Sequence, residues 1–194
     1  MLEGAVDVFR VTKRDYESRD AIFRLRYHVY NHLYNHVLKC HTRGEMDHVS
    51  QTLSDPLDER ASLFLARVNA QPVGSMRMIM FDDMEADENV ILTHFKEIPA
   101  HYFTQKSVLL SLYCILPEYN NTTVTHDLLQ AALMYAVKKK VQRFFVAAPE
   151  YLMPYYQHYH FTACSDWRQI EGYSLPSNVM TIDTEALIAL ALSM

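Results

Sequence analysis

Val108-Leu109-Leu110-Ser111-Leu112-Tyr113-Cys114-Ile115-Leu116 is an apolar run of strand length, and Pro117-Glu118-Tyr119-Asn120-Asn121-Thr122-Thr123-Val124-Thr125 follows it as a polar elbow. A helix is expected from His126 to about Lys140, and Phe144-Phe145-Val146-Ala147-Ala148 reads as a second apolar strand. Strand, elbow, helix and strand have the length of one right-handed βαβ unit with a parallel strand pair. In such a unit the helix N-terminus presents unpaired N–H groups beyond the carboxyl end of the first strand, so a ligand is expected there.

Working outward, residues 5–12 alternate and predict a first strand. From about Glu17 the period becomes helical, with Ile22, Leu25, Val29 and Leu33 at spacings of three and four. Residues 39–57 have no period and predict a long loop, which in a compact domain is usually functional. Ala61 to Val68 and Pro72 to Phe81 flank a short turn and predict a hairpin. Asp82 to Asn89 is an acidic loop, and Ile91 to Ile98 holds a short helix. After the central unit, Pro149 to His158 predicts a helix, Thr162 to Trp167 and Val179 to Ile182 predict closing strands, and Ala186 to Leu192 a last apolar helix. No repeat or linker divides the chain, so residues 1–194 are expected to form one domain.

The hydrophobic content of 49% is enough for a full core, which excludes a disordered protein. A net charge of −5 argues against a general nucleic-acid binder. The three cysteines, Cys40, Cys114 and Cys164, cannot all pair, and no CxxC or secretory leader is present, so a cytoplasmic protein is expected. No apolar stretch reaches the roughly 18–20 residues of a membrane span.

The element order, with Pro117, Tyr119, Val124, Leu128 and Leu129 in the elbow and Tyr155-Tyr156-Gln157-His158-Tyr159-His160-Phe161 after it, resembles the Gcn5-related N-acetyltransferase (GNAT) superfamily. The resemblance implies an α+β fold, a GNAT-like α/β/α sandwich whose mixed, mostly antiparallel sheet is splayed at one parallel βαβ unit. The front half resembles a narrower branch, the acyl-homoserine-lactone (autoinducer) synthases and N-acyl amino acid synthases. The residues that carry this are Arg26-Tyr27-His28-Val29-Tyr30, Asp55-Pro56-Leu57-Asp58, Gly74-Ser75-Met76-Arg77 and Ile91-Leu92-Thr93-His94-Phe95. Two departures stand out. The elbow has Asn120 for the superfamily's Arg, and Asn121, Thr123 and Thr125 for its glycines. The branch's E-x-S-R motif is Leu109-Leu110-Ser111-Leu112.

The resemblance implies transfer of an acyl group from a thioester, on acyl carrier protein or coenzyme A, to the amine of an amino acid or similar metabolite. Such a transfer requires a neutral amine, a polarised carbonyl and a proton for the leaving thiolate. Tyr156 matches the family's acid, with Tyr155 and Tyr159 as competitors. Backbone N–H groups near Leu112, Tyr113 and Cys114 would hold the carbonyl. Thr122, Thr123, Val124 and Thr125 would meet the phosphate end of the donor, or simply cap the helix. Arg26, Asp55 and Arg77 would bind the acceptor, with Asp58 as base and Glu45 and Asp47 as competitors; a structural ion-pair network is the other reading of these residues. His28, His32 and His36 share a helical stripe but lie on a solvated face, so no metal is expected. Lys138-Lys139-Lys140 and Arg143 form a compact basic patch that suits either the helix dipole or an acidic acyl carrier protein. The missing glycines favour the carrier protein as donor. The alternatives are an acetyl-CoA-dependent N-acetyltransferase and a non-catalytic acyl-binding or regulatory protein on the same fold.

Overall fold

The computed structural model describes residues 5–33, 45–85, 87–103, 106–120, 122–170 and 175–193. Among the described residues, nine strands and five α-helices run β1 (Val6–Val11), α1 (Tyr16–Tyr27), β2 (Glu45–Asp47), β3 (Thr52–Ser54), β4 (Ser62–Val68), β5 (Gln71–Met80), α2 (Val90–His94), β6 (Ser107–Ile115), α3 (Val124–Lys138), β7 (Arg143–Pro149), α4 (Met153–His158), β8 (Thr162–Ala163), β9 (Ser177–Asp183) and α5 (Thr184–Ser193). Seven strands form one mixed sheet in the order β1-β4-β5-β6-β7-β9-β8, and β2 pairs with β3 in a separate hairpin. Every pair in the large sheet is antiparallel except β6–β7. The GNAT-like expectation therefore holds.

Alternation along β4 builds both layers. Leu63 and Leu65 pack with Val11 and Ile22 on the α1 face, while Phe64, Ala66 and Val68 pack with the buried face of α3. A strand buried on both faces reads as the near-continuous apolar run seen here. Gly74 of β5 lies directly beneath α3. A Cβ there would stand 3.1 Å from Ile115 and Val124 and 3.2 Å from Leu128, so the glycine permits the close approach of helix to sheet.

Several expectations need adjustment. The helix predicted from Glu17 leaves the α-helical pattern at Tyr27 and continues as a π-helical turn, His28–Leu33. The predicted loop 39–57 contains the β2–β3 hairpin and enters a 3₁₀ turn, Pro56–Glu59. Leu53 has Gln51 and Asp55 as its neighbours in strand phase, neither of them apolar, which hid this strand. Yet it is fully buried beside α1. The strand predicted over Thr162–Trp167 is only Thr162–Ala163, whereas the final strand is longer than predicted, Ser177–Asp183.

Candidate active site

The parallel pairing of β6 with β7 has three rungs, Ser107↔Arg143, Val108↔Phe144 and Leu109↔Phe145. Beyond Leu109 the strands part. The cause is visible in β6. Between Ser75 and Arg77 on β5 its register slips by one residue, because Cys114 faces Ser75 while Ser111 faces Arg77. The extra residue forms a bulge at which Leu112 takes a left-handed backbone, φ 48°. It also switches the alternation: Val108 and Leu110 pack on the α3 side, whereas Leu112 and Cys114 pack on the α1 side. A β-bulge with a strained, non-glycine residue is a known device for re-aiming a strand at a site.

The V opened in this way is a cleft enclosing about 820 Å³, its mouth included. β6 supplies its floor through Leu109 to Ile115. Ala147 and Pro149 of β7 form one wall, and Tyr30, Asn120, Tyr151, Leu152 and Tyr156 stand around it. Apolar walls with a few convergent polar groups are what an acyl thioester requires. Three of the residues expected at the carbonyl, Leu112, Tyr113 and Cys114, do line this cleft, as does Tyr156. Burial pushes the Tyr156 phenol well above its ordinary value, with Tyr151 adding to the shift. Its competitors Tyr155 and Tyr159 are not among the lining residues; Tyr155 stacks on Tyr113 at 5.8 Å and Tyr159 stacks on His126. Cys114 is buried with its thiol 3.2 Å from Ser75 Oγ, and burial raises its pKa, so it is protonated filler rather than a nucleophile.

Arg26, Asp58, Arg77 and Asp55 do come together, and they are 0%, 1%, 3% and 5% exposed. Arg26 Nη1 donates to Asp58 Oδ2 at 2.7 Å, which also accepts from the Asp55 N–H at 2.9 Å. Arg77 Nη1 lies 3.1 Å from Asp55 Oδ1 and 3.6 Å from Asp58 Oδ1. Asp55 also caps the 3₁₀ turn by accepting from the Leu57 N–H. The network thus fastens α1, the turn and β5 to one another. It is not saturated: Arg26 Nε and Nη2 and Asp58 Oδ1 are buried with no hydrogen-bond partner among the described residues. None of the four residues lines the cleft. A hydrogen bond joins the network to the cleft: Arg77 Nε donates to Ser111 Oγ at 2.9 Å. Ser111 was not singled out from sequence. The signal was available, since it is the only polar side chain in the strand run from Val108 to Leu112 and lies where the related motif keeps its serine.

At the elbow the hydroxyls are engaged locally. Thr122 donates to the Tyr119 carbonyl, Thr123 to Asp127 Oδ2, and Thr125 pairs with the Tyr113 hydroxyl. Asp127 adds a carboxylate in the first turn of α3, where the helix dipole favours negative charge. Lys138, Lys139 and Lys140 are exposed at the other end of α3, about 21 Å away at 1.5 Å per residue. Arg143 is held by Asp183 at 2.7 Å and lies over the Tyr102 ring. Asp47 is bonded to Ser50 within the β2–β3 hairpin. His36 and Cys40 lie outside the described residues. Among the described residues no group of three His, Cys, Asp or Glu could hold a metal, and no helix is long and apolar enough to cross a membrane.

The family model for FeeM, N-acyl amino acid synthase, matches residues 21–183. Among solved structures, FeeM itself, an N-acyl amino acid synthase from uncultured soil microbes, superposes with a TM-score of 0.73 at 12% identity, covering 100% of this chain and 99% of that one. The CoA-dependent acyl-homoserine lactone synthase BjaI, with SAM and isopentyl-CoA, gives 0.71 at 14% identity over 98% and 89%. An N-acetyltransferase from Lactobacillus plantarum gives 0.63 at 14% identity over 93% and 99%. At these identities the superpositions establish the fold. A search of curated proteins finds no match.

Proposed function

The chain belongs to the FeeM family of N-acyl amino acid synthases, and from that premise we propose that it is an acyltransferase that joins an acyl group from a pantetheine thioester to the amine of an amino acid. The observation that carries the reading is the bulge-opened, apolar cleft with Tyr156 on its wall. The acyl chain lies against Leu109, Leu110 and Ala147, and the thioester carbonyl sits at the bulged backbone of Leu112 to Cys114. The amine nitrogen attacks the carbonyl carbon to form the C–N bond, and the carbonyl π electrons move to oxygen. Collapse of the intermediate breaks the C–S bond. Tyr156 protonates the leaving sulfur and recovers a proton, directly or through water, from the new amide nitrogen. A phenol raised by burial stays protonated at neutral pH, as this role demands.

Asp58 is fully buried against Arg26, which favours a positioning role over that of a base. The unpartnered Arg26 Nε and Nη2 favour a second role for the network, reception of the acceptor's carboxylate once the β2–β3 side opens. The donor in this proposal is an acyl carrier protein. Its support is the elbow, whose threonine hydroxyls are already bonded and whose first helical turn carries Asp127. Lys138, Lys139 and Lys140 would supply the cationic docking surface.

Mass spectrometry of small molecules from an overexpressing culture tests the reading. Accumulated N-acyl amino acids support it and name both chain and acceptor. A co-purifying fatty acid or acyl thioester with no product supports instead a binding protein on the same fold.

A further inference from the structure

The geometry points to Ser111 as the side-chain donor that stabilises the developing oxyanion on the donor's carbonyl. This inference rests on the acyl-transfer reading and adds a residue to it. Ser111 lies two residues beyond the last parallel rung, Leu109↔Phe145, and one before the bulge at Leu112. It therefore sits where β6 first turns an unpaired edge towards the cleft, and it lines that cleft.

Its proton is directed by its partner. A guanidinium can only donate, so the 2.9 Å contact from Arg77 Nε occupies a lone pair of Ser111 Oγ and leaves the O–H for another acceptor. Donation from a cation also polarises that O–H, more strongly in a dry interior than in water. Arg77 is itself fixed, 3% exposed and held by Asp55 and Asp58. Of the other hydroxyls near the floor, Tyr30 gives its proton to the Tyr113 carbonyl at 3.0 Å, and the Tyr113 hydroxyl shares a hydrogen bond with Thr125 Oγ1 in which either oxygen can be the donor. Tyr156 is reserved for the sulfur in the proposed reaction. Ser111 is thus a floor hydroxyl whose charged partner leaves it a proton to offer, and the buried ion network acts on the reaction through it.

In the step assigned, the amine adds to the carbonyl carbon, the oxygen becomes negative, and Ser111 Oγ–H donates a hydrogen bond to it without transferring its proton. The bond strengthens as charge develops, so it lowers the barrier more than it tightens ground-state binding.

The test uses the full chain, its Ser111→Ala and Ser111→Thr variants, and a synthetic acyl-pantetheine carrying ¹³C at the thioester carbonyl. Infrared difference spectra of the probe without amine are expected to show the carbonyl stretch lowered in the wild-type protein and in Ser111→Thr, and returned towards its solution value in Ser111→Ala. With amine present, kcat should fall by roughly 10²–10³ in Ser111→Ala, with KM for the donor unchanged, and threonine should restore most of it. An unshifted stretch in the wild-type protein, or equal shifts in wild type and Ser111→Ala, overturns the inference. So does a loss of thermal stability in Ser111→Ala with kcat intact, the outcome of a purely structural serine. If no amine is acylated by the wild-type protein, the acyl-transfer reading fails separately, and the infrared shift still decides whether Ser111 meets a carbonyl.

Discussion

Replacing Arg26 with methionine is the sharpest probe of the buried network. Arg26 and Asp58 are both essentially inaccessible and share one 2.7 Å hydrogen bond. Methionine fills much of the volume but leaves Asp58 Oδ2 with only the Asp55 N–H as donor, and Oδ1 already lacks a hydrogen bond. Removing one partner of a buried pair costs about 3–5 kcal/mol. At an unfolding entropy of about 2.1 cal/mol/K per residue, the 194-residue chain should lose roughly 7–12 °C in Tm. The companion double variant, Arg26→Met with Asp58→Leu, removes both charges, and well-packed apolar replacements of buried pairs are often close to neutral. It should recover at least half of the lost Tm, the remainder reflecting the Asp55 N–H and Arg77 left with fewer partners. Circular dichroism melts of the three proteins in one buffer make the comparison. A single variant that loses less than about 2 °C would refute the claim that this pair is desolvated and coupled. Kinetics of the double variant separate the two proposed roles. A raised KM for the acceptor with unchanged KM for the donor marks Arg26 as a carboxylate receptor, whereas unchanged KM values leave it with positioning alone.

Tyr156→Phe should keep the fold and lose about 10²–10⁴ in kcat on an alkyl thioester. The loss should shrink on an aryl thioester, whose leaving thiolate needs no acid; equal losses on both substrates would place the role of Tyr156 elsewhere. Glutamate at Lys138, Lys139 and Lys140 together should raise KM for an acylated carrier protein at low salt and leave KM for a free acyl-pantetheine unchanged, and equal KM values for the carrier would remove that patch from docking. Burial pushes the half-buried Cys164 thiol up to about 11. Its alkylation by iodoacetamide in Cys114→Ser/Cys40→Ser protein should therefore still rise about tenfold per pH unit between pH 7 and 9, because only thiolate reacts; a plateau near an ordinary cysteine pKa would contradict the burial seen for this side chain.

The central unit was legible because its two strands and helix have clear periods and boundaries, and α3 starts within two residues of the predicted position. The four charged residues were legible as a group because their order and spacing match a known pattern. Their burial was not. Nothing in Arg26, Asp55, Asp58 or Arg77 as residue types announces exposures of 5% or less; that follows from the turn folding back over α1, which the aperiodic stretch 39–57 concealed. The bulge was equally hidden. A register slip depends on pairing with β5, and Leu112 is an unexpected residue for a left-handed backbone, where glycine or asparagine would have given a signal. Because the bulge sets which side chains face the cleft, Ser111 was passed over while its neighbours were chosen.

The loss of both charges from the central strand has a structural consequence beyond sequence divergence. With leucine at 109 and 112, no Asp, Glu, Lys, Arg or His is among the described residues lining the cleft. A cleft so lined has no side-chain charge to desolvate when an apolar acyl chain displaces water, only a few neutral hydroxyls and one amide. Among the described lining residues there is no carboxylate or imidazole, so in the proposed reaction the acceptor enters with its amine already neutral or loses its proton on the way in. The charges have instead been kept one layer back, compensated against each other as Arg26 with Asp58 and Arg77 with Asp55, where they fix the turn, α1 and β5 without facing the acyl group. The bulge makes that separation workable. By switching the alternation of β6 at Leu112, it places Ser111 opposite Arg77 and also on the open side of the V, so that one neutral hydroxyl links the charged layer to the apolar one.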